Sequence, residues 1–154
     1  MTLYYSEVMP LRLNVPKEWE ITESPGDPGG VSICGLSIYI YQTPNQVCVD
    51  NQPRLETVSN GLRWYSDRYQ PPDGNEVLDS VKIGSNEWYH FETKDTVRTG
   101  EALYGEERTC LHYMTTKEDG IYVFRACSRS KHIEVFRGTY MDMLESLVFD
   151  EDQP

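Results

Sequence analysis

The chain has 154 residues, with 25 acidic and 14 basic side chains and a formal charge of -11 at pH 7. This length suits one domain with a core of its own, so we treat residues 1–154 as a single domain. Excess carboxylates repel phosphate backbones and anionic lipid headgroups, which disfavours nucleic acid and membrane surfaces as partners. A basic protein surface, a cation or a neutral ligand is a better candidate partner. The alternative explanation is that the negative charge only keeps the protein soluble.

The first half of the chain carries two strand patterns and one helical pattern. Apolar and polar side chains alternate over residues 11–15, which is typical of a half-buried strand. Residues 31–41 are apolar on both faces, which indicates a central strand covered on both sides. From Pro53 the apolar spacing changes to three and four residues, so we expect a helix near 53–69.

Two hairpins and a second helix are predicted in the other half. Strands over 76–83 and 86–93 flank a Gly-Ser turn, and strands over 106–115 and 121–128 flank a turn containing Asp-Gly. A stripe of apolar residues at helical spacing predicts a C-terminal helix near 130–147, with Ser130 as its N-cap.

These elements predict an α+β fold of the α/β/α sandwich type. An antiparallel sheet of about six to eight strands would carry one helix on each face, because the central strand is apolar on both sides. No run of 18 apolar residues occurs, so no membrane-spanning helix is expected.

The four cysteines are Cys34, Cys48, Cys110 and Cys127. They form no closely spaced pair of the kind that binds zinc. If residues 117–120 form a four-residue turn, Cys110 faces Cys127, whereas a tighter turn places His112 opposite Cys127. Facing strand residues have Cβ atoms about 4.5–5.5 Å apart, and disulfides prefer about 3.8 Å, so we expect free thiols.

Both ends of the chain resemble a known fold. A strand that runs into Val15-Pro16-x-x-Trp19, an antiparallel sheet with an inserted helix, and a last helix ending in Leu144-Glu145-Ser146-Leu147-Val148-Phe149 are similar to the PsbP-like fold. This fold is shared by the photosystem II subunit PsbP, a Ran-binding protein of nuclear import, and the bacterial DcrB-like and Eag-type proteins. The resemblance implies an α/β/α sandwich and a binding role, because the members mostly bind other proteins and share no catalytic residues.

Trp64 is the leading candidate for a contact residue. It falls off the apolar stripe of the 53–69 helix, next to Arg68, and exposed Trp and Arg are enriched at interface hot spots. The alternative is that the preceding connector covers it. With the resemblance, this predicts a non-enzymatic protein-binding, adaptor or chaperone-like domain of bacterial type with an acidic surface and no cofactor.

The alternative function is a thiol- or metal-dependent enzyme. Cys110 and His112 lie two residues apart on one strand face, and His90, with Glu92, would complete a metal site if their strands were neighbours. No catalytic motif accompanies them, so ordinary packing is the favoured interpretation. No signal peptide is visible, which favours the cytoplasm, with export after removal of a signal as the alternative.

Overall fold

Strands make up most of the fold. The computed structural model describes residues 1–25, 31–37, 45–52, 80–96 and 107–152. These ranges contain ten strands, one α-helix and two short 3₁₀ segments at Ser130–His132 and Asp150–Asp152. The strands and the helix, in chain order, are β1 Thr2–Tyr5, β2 Leu11–Val15, β3 Glu20–Pro25, β4 Val31–Ser37, β5 Asn45–Gln52, β6 Ser80–Ile83, β7 Asn86–Thr96, β8 Glu107–Lys117, β9 Gly120–Arg129, α1 Ile133–Ser146 and β10 Val148–Phe149.

The strands form two antiparallel sheets. The large sheet has seven strands in the order β3-β4-β5-β9-β8-β7-β6, and the small sheet has three in the order β1-β2-β10. The expected α+β class and the sheet of six to eight strands are confirmed. Both hairpins are also confirmed in their described parts, with Ile83 opposite Asn86 in one and Thr116 opposite Ile121 in the other, while residues 76–79 of the first predicted strand lie outside the described residues. The small sheet was not predicted, because β2 pairs with strands from both ends of the chain and the third strand is only two residues long.

One continuous core joins the large sheet, α1 and the small sheet. The helix buries a stripe at the expected helical spacing, consisting of Ile133, Phe136, Tyr140, Met143 and Leu144. Each fully buried side chain of this size contributes roughly 1.5–3 kcal/mol to stability. The stripe packs on the alternate inward residues of the central strands and of β2, among them Leu11, Leu13, Val47, Phe124 and Trp88.

The start of α1 differs from the prediction. Ser130 does not cap the helix, since its hydroxyl shares a 2.7 Å hydrogen bond with the hydroxyl of Thr109 on β8. A 3₁₀ turn follows, and α1 begins only at Ile133. Ser130 therefore fixes the chain to the sheet just before the helix begins.

The end of α1 is held from two sides. The side-chain amide of Asn86 donates to the carbonyl of Leu147 at 3.0 Å, and the backbone N–H of Asn14 donates to the Ser146 hydroxyl at 2.8 Å. The first bond satisfies a carbonyl at the helix end, where backbone carbonyls lack intrahelical partners. The C-terminus of α1 is thus tied both to β2 and to the β6–β7 hairpin.

The opposite face of the large sheet is buried as well. Cys48, Met114 and Val123 on this face are each no more than 2% exposed. The helix predicted near 53–69 lies outside the described residues.

Candidate functional site

Cys110 and Cys127 face each other, as in the first of the two predicted registers, and they are joined. The four-residue turn gives the register in which Cys110 pairs with Cys127, and a disulfide links them across β8 and β9. The expectation of free thiols is therefore wrong. The two Cα atoms are 4.1 Å apart, closer than the roughly 4.5 Å that is usual even for the nearer pairs of an antiparallel ladder, so the expectation assumed strands too far apart at this point. Cys48 is also disulfide-bonded, and Cys34 is its partner in the backbone register of β4 and β5.

His112 lies on the same buried face and is fully inaccessible to solvent. Its ring stacks on Phe91 at 4.5 Å between centroids, and its Nε2 is 2.9 Å from the Thr93 hydroxyl. Burial, together with the positive charges of Arg125 and Arg108, lowers the pKa of His112 to about 3. The imidazole is therefore neutral at physiological pH and serves packing.

His90 lies on the other face of the sheet. The register pairs His90 with Tyr113 and Phe91 with His112, so the two histidines point in opposite directions. His90 is exposed and stacks on Tyr113 at 5.7 Å. The site predicted from Cys110, His112 and His90 is thus not assembled, because strand alternation separates the histidines and the thiol is oxidised. Within the described ranges, no group of three His, Cys, Asp or Glu residues is placed to hold a metal ion.

Glu92 shares the face of His90, as predicted, but it pairs with the helix. The Arg137 guanidinium lies 3.1 Å from a Glu92 carboxylate oxygen and 2.9 Å from one of Glu134. An exposed pair of this kind contributes little to stability. The other predicted contact residues, Trp64 and Arg68, lie outside the described residues.

An apolar patch at the N-terminus is the most prominent exposed feature of the described residues. Four of their six large exposed hydrophobic side chains fall within the first eight positions of the chain, and we call them the N-terminal patch: Met1, 52% exposed, Leu3, 46%, Tyr5, 60%, and Val8, 45%. Arg12 lies over the Tyr5 ring, 5.9 Å from its centroid. This patch was not predicted from the sequence, although Leu3 and Tyr5 are spaced as neighbours on one strand face.

Hydrogen bonds hold the backbone beneath the N-terminal patch. The Ser6 hydroxyl accepts from the backbone N–H groups of Val8 and Met9 at 3.1 and 2.9 Å, and it donates to Glu23 of β3 at 2.8 Å. Met9, only 4% exposed, anchors the segment in the core. The patch is therefore presented on an ordered backbone.

The patch also lies at a sheet edge that is free in the part of the chain that the structure describes. Among those residues, β1 is the outer strand of the small sheet and has only β2 as a neighbour. The Ser6 N–H donates to the Leu11 carbonyl across the β1–β2 pair. Because bonded residues alternate in an antiparallel ladder, the backbone groups of Leu3 and Tyr5 point away from β2. Within the described ranges, a row of apolar side chains therefore coincides with backbone donors and acceptors that no other strand uses.

Two solved structures share the architecture. The solution structure of cyanobacterial PsbP (CyanoP) from Synechocystis sp. PCC 6803 is 13% identical, with a TM-score of 0.64 over 96% of this chain and 91% of that one. A crystal structure from Bacteroides thetaiotaomicron VPI-5482 is 14% identical, with a TM-score of 0.52 over 96% of this chain. This chain spans only 47% of the Bacteroides protein, about half its length. These likenesses establish a PsbP-like fold, as the sequence resemblance implied.

Sequence comparisons add no closer relative. No model of a protein family matches the chain, and no curated protein matches it significantly. None of the described helices combines the length and apolarity needed to cross a bilayer.

Proposed function

We propose that this chain is a non-enzymatic protein-binding domain that docks an extended segment of another protein along β1. The coincidence of the N-terminal patch with a free strand edge carries the proposal. An added strand gains affinity from main-chain hydrogen bonds, while alternate side chains provide specificity. Leu3 and Tyr5 can provide main-chain hydrogen bonds, because their backbone groups face the free edge, and they can provide specificity, because their side chains are exposed.

The charge of the domain favours a basic partner. A formal charge of -11 attracts cationic segments over distance and repels a second copy of the same chain. Natural proteins usually protect an exposed edge strand against unwanted pairing. An edge that remains apolar in a strongly acidic protein suits a basic segment with apolar side chains. This is an adaptor or chaperone-like role, in which Trp64 and Arg68 remain proposed additional contacts.

An oxidising compartment suits the domain better than the cytoplasm. Disulfides persist in exported proteins and are rare in reducing cytosol. The Cys110–Cys127 bond and the disulfide-bonded state of Cys48 therefore lead us to propose that the protein works after export. This revises the cytoplasmic expectation in favour of its alternative.

The test is affinity capture from host extract with a matched set of variants. Wild type, the double variant Leu3→Ser/Tyr5→Ser and the control Val135→Ser are compared after cross-linking and mass spectrometry. Val135 is 56% exposed, as apolar as Leu3, and lies on α1 outside the N-terminal patch. We expect wild type and the Val135 variant to retain the same partner and the double variant to lose it.

Two results would contradict the proposal. If all three proteins retain the partner equally, β1 is not the docking strand, and a parallel Trp64→Ala capture shows whether the contact lies there. If wild type retains nothing above a resin control, the protein-binding role itself is contradicted. Thermal melts establish that each variant remains folded.

A further inference from the structure

A small apolar cavity lies at the junction of the two sheets. Its volume is about 20 Å³. Side chains of both sheets and of α1 line it, among them Tyr4, Leu13, Ile21, Val47, Val49 and Met143. β1 is an edge strand of the small sheet and β3 is an edge strand of the large sheet, so the cavity lies where two sheet edges meet.

Glu23 links these two edges beside the cavity. It accepts hydrogen bonds from the Tyr4 hydroxyl, from the Ser6 hydroxyl at 2.8 Å and from the backbone N–H of Glu7 at 3.2 Å. Burial raises the pKa of Glu23, but these hydrogen bonds outweigh burial and lower it overall. Glu23 is therefore ionised at neutral pH, and the Glu7 carboxylate, whose charge also acts on Tyr4, adds a second negative charge nearby.

We propose that this cavity receives one aliphatic side chain of the segment that docks on β1, with a basic side chain of the same segment near Glu7 and Glu23. The inference rests on the proposed function and deepens it. Facing residues of paired strands project to the same side of a sheet. A residue that pairs with Tyr4 on an added strand would therefore project to the inner side, where Tyr4 lines the cavity.

The size and the apolar lining of the cavity determine which side chain of the docked segment it can receive. A cavity needs roughly 10–15 Å³ to hold one water molecule, so a cavity of about 20 Å³ admits a terminal methyl group of Val, Leu or Ile and excludes an aromatic ring. Among the described residues that line the cavity, only Tyr4 carries a hydroxyl, and this hydroxyl is already bonded to Glu23. A polar side chain would consequently lose its hydration there without a replacement partner.

Two synthetic peptides test the inference on the intact protein. The first is Lys-Thr-Val-Leu-Val-Thr-Lys, with blocked ends, and the second has Ser in place of the central Leu. NMR titration follows the backbone amides of Leu3 and Tyr5 together with the methyl groups of Leu13, Ile21 and Val49. We expect the Leu peptide to shift both sets and to bind roughly tenfold more tightly than the Ser peptide, because its side chain leaves water.

The outcomes separate the cavity from the docking strand. If both peptides bind alike and shift only the amides of Leu3 and Tyr5, the cavity site is overturned and docking on β1 stands. If neither peptide shifts the methyl groups or the amides, the cavity site is again overturned, and the capture experiment decides the docking strand separately. A Val47→Leu variant, which fills the cavity, should remove the preference for Leu, and retained preference would also overturn the inference.

Discussion

His112 lies in a sequence pattern that suggests a reactive site, but in the folded protein its side chain is chemically inert. A histidine beside a cysteine is a common arrangement for nucleophiles and metal ligands. Here the cysteine is in a disulfide, and the imidazole is stacked on Phe91 and placed against the Thr93 hydroxyl. Because the buried ring stays neutral in the folded state, the main effect of His112 is to make the stability of the protein depend on pH.

The free energy of unfolding should fall as pH drops below about 6.5. The ordinary pKa of histidine, 6.5, applies to the unfolded chain, whereas burial and the charges of Arg125 and Arg108 lower the pKa of His112 to about 3 in the folded state. Between these values the unfolded chain binds more protons, which favours unfolding. Between pH 7.5 and pH 5 this amounts to about 2 kcal/mol.

Urea denaturation of wild type and His112→Gln at several pH values measures this contribution. The glutamine can still hydrogen-bond Thr93, and it does not titrate. We expect the variant to be less stable at pH 7.5 but to lose about 2 kcal/mol less than wild type on going to pH 5. The lowered pKa of Glu23 affects stability only at lower pH, so it leaves this window clear. Parallel pH profiles for the two proteins would contradict the assignment.

Two glycines affect the C-terminal helix in opposite ways. Gly138 lies in the exposed middle of α1, and a Cβ added there would meet no atom within 4 Å. Gly84 forms the β6–β7 turn with a φ of +62°, and a Cβ there would overlap the carbonyl oxygen of Glu145 at the end of α1. The first glycine only weakens the helix, whereas the second permits the close approach of the hairpin.

Alanine substitutions should therefore change stability with opposite sign. Gly138→Ala should raise the free energy of unfolding by about 0.5–1 kcal/mol, because alanine restricts the unfolded chain and favours the helix. Gly84→Ala should lower it by more than about 1 kcal/mol, because a positive φ alone costs about that much. Chemical denaturation measures both. A destabilised Gly138 variant would indicate that the exposed side of α1 is in contact with another part of the protein.

The elements that sequence predicts best are those with local causes. The turn before Gly120 limited the β8–β9 pairing to two registers, one of which the structure adopts, and the apolar stripe located α1. The small sheet was missed because β2 gains its partners from both ends of the chain. Exposure of Leu3 and Tyr5 depends on which edge stays unpaired, and the disulfide depends on how closely two strands approach. Neither is encoded in a local pattern.

At the scale of the whole molecule, the net charge and the disulfides have opposite effects on the stability of the folded state. A charge of -11 destabilises a compact state through self-repulsion. Disulfides oppose this by restricting the unfolded chain. The Cys110–Cys127 bond joins residues 17 positions apart in two strands near the middle of the seven-stranded sheet, so it secures the hairpin at the centre of the fold.

Removing this bond should cost about 3 kcal/mol, as expected for a loop of this length. The double variant Cys110→Ala/Cys127→Ala tests it by chemical denaturation, with the single variant Val135→Ser as a surface control. Wild type in reductant should lose at least as much stability as the double variant does, because Cys48 is then reduced too. If the protein is exported, wild type made in an oxidising compartment should contain no titratable thiol at Cys110 or Cys127. Equal stability of variant and wild type would argue against a stabilising role of the Cys110–Cys127 bond, and free thiols at these positions would argue against the exported location as well.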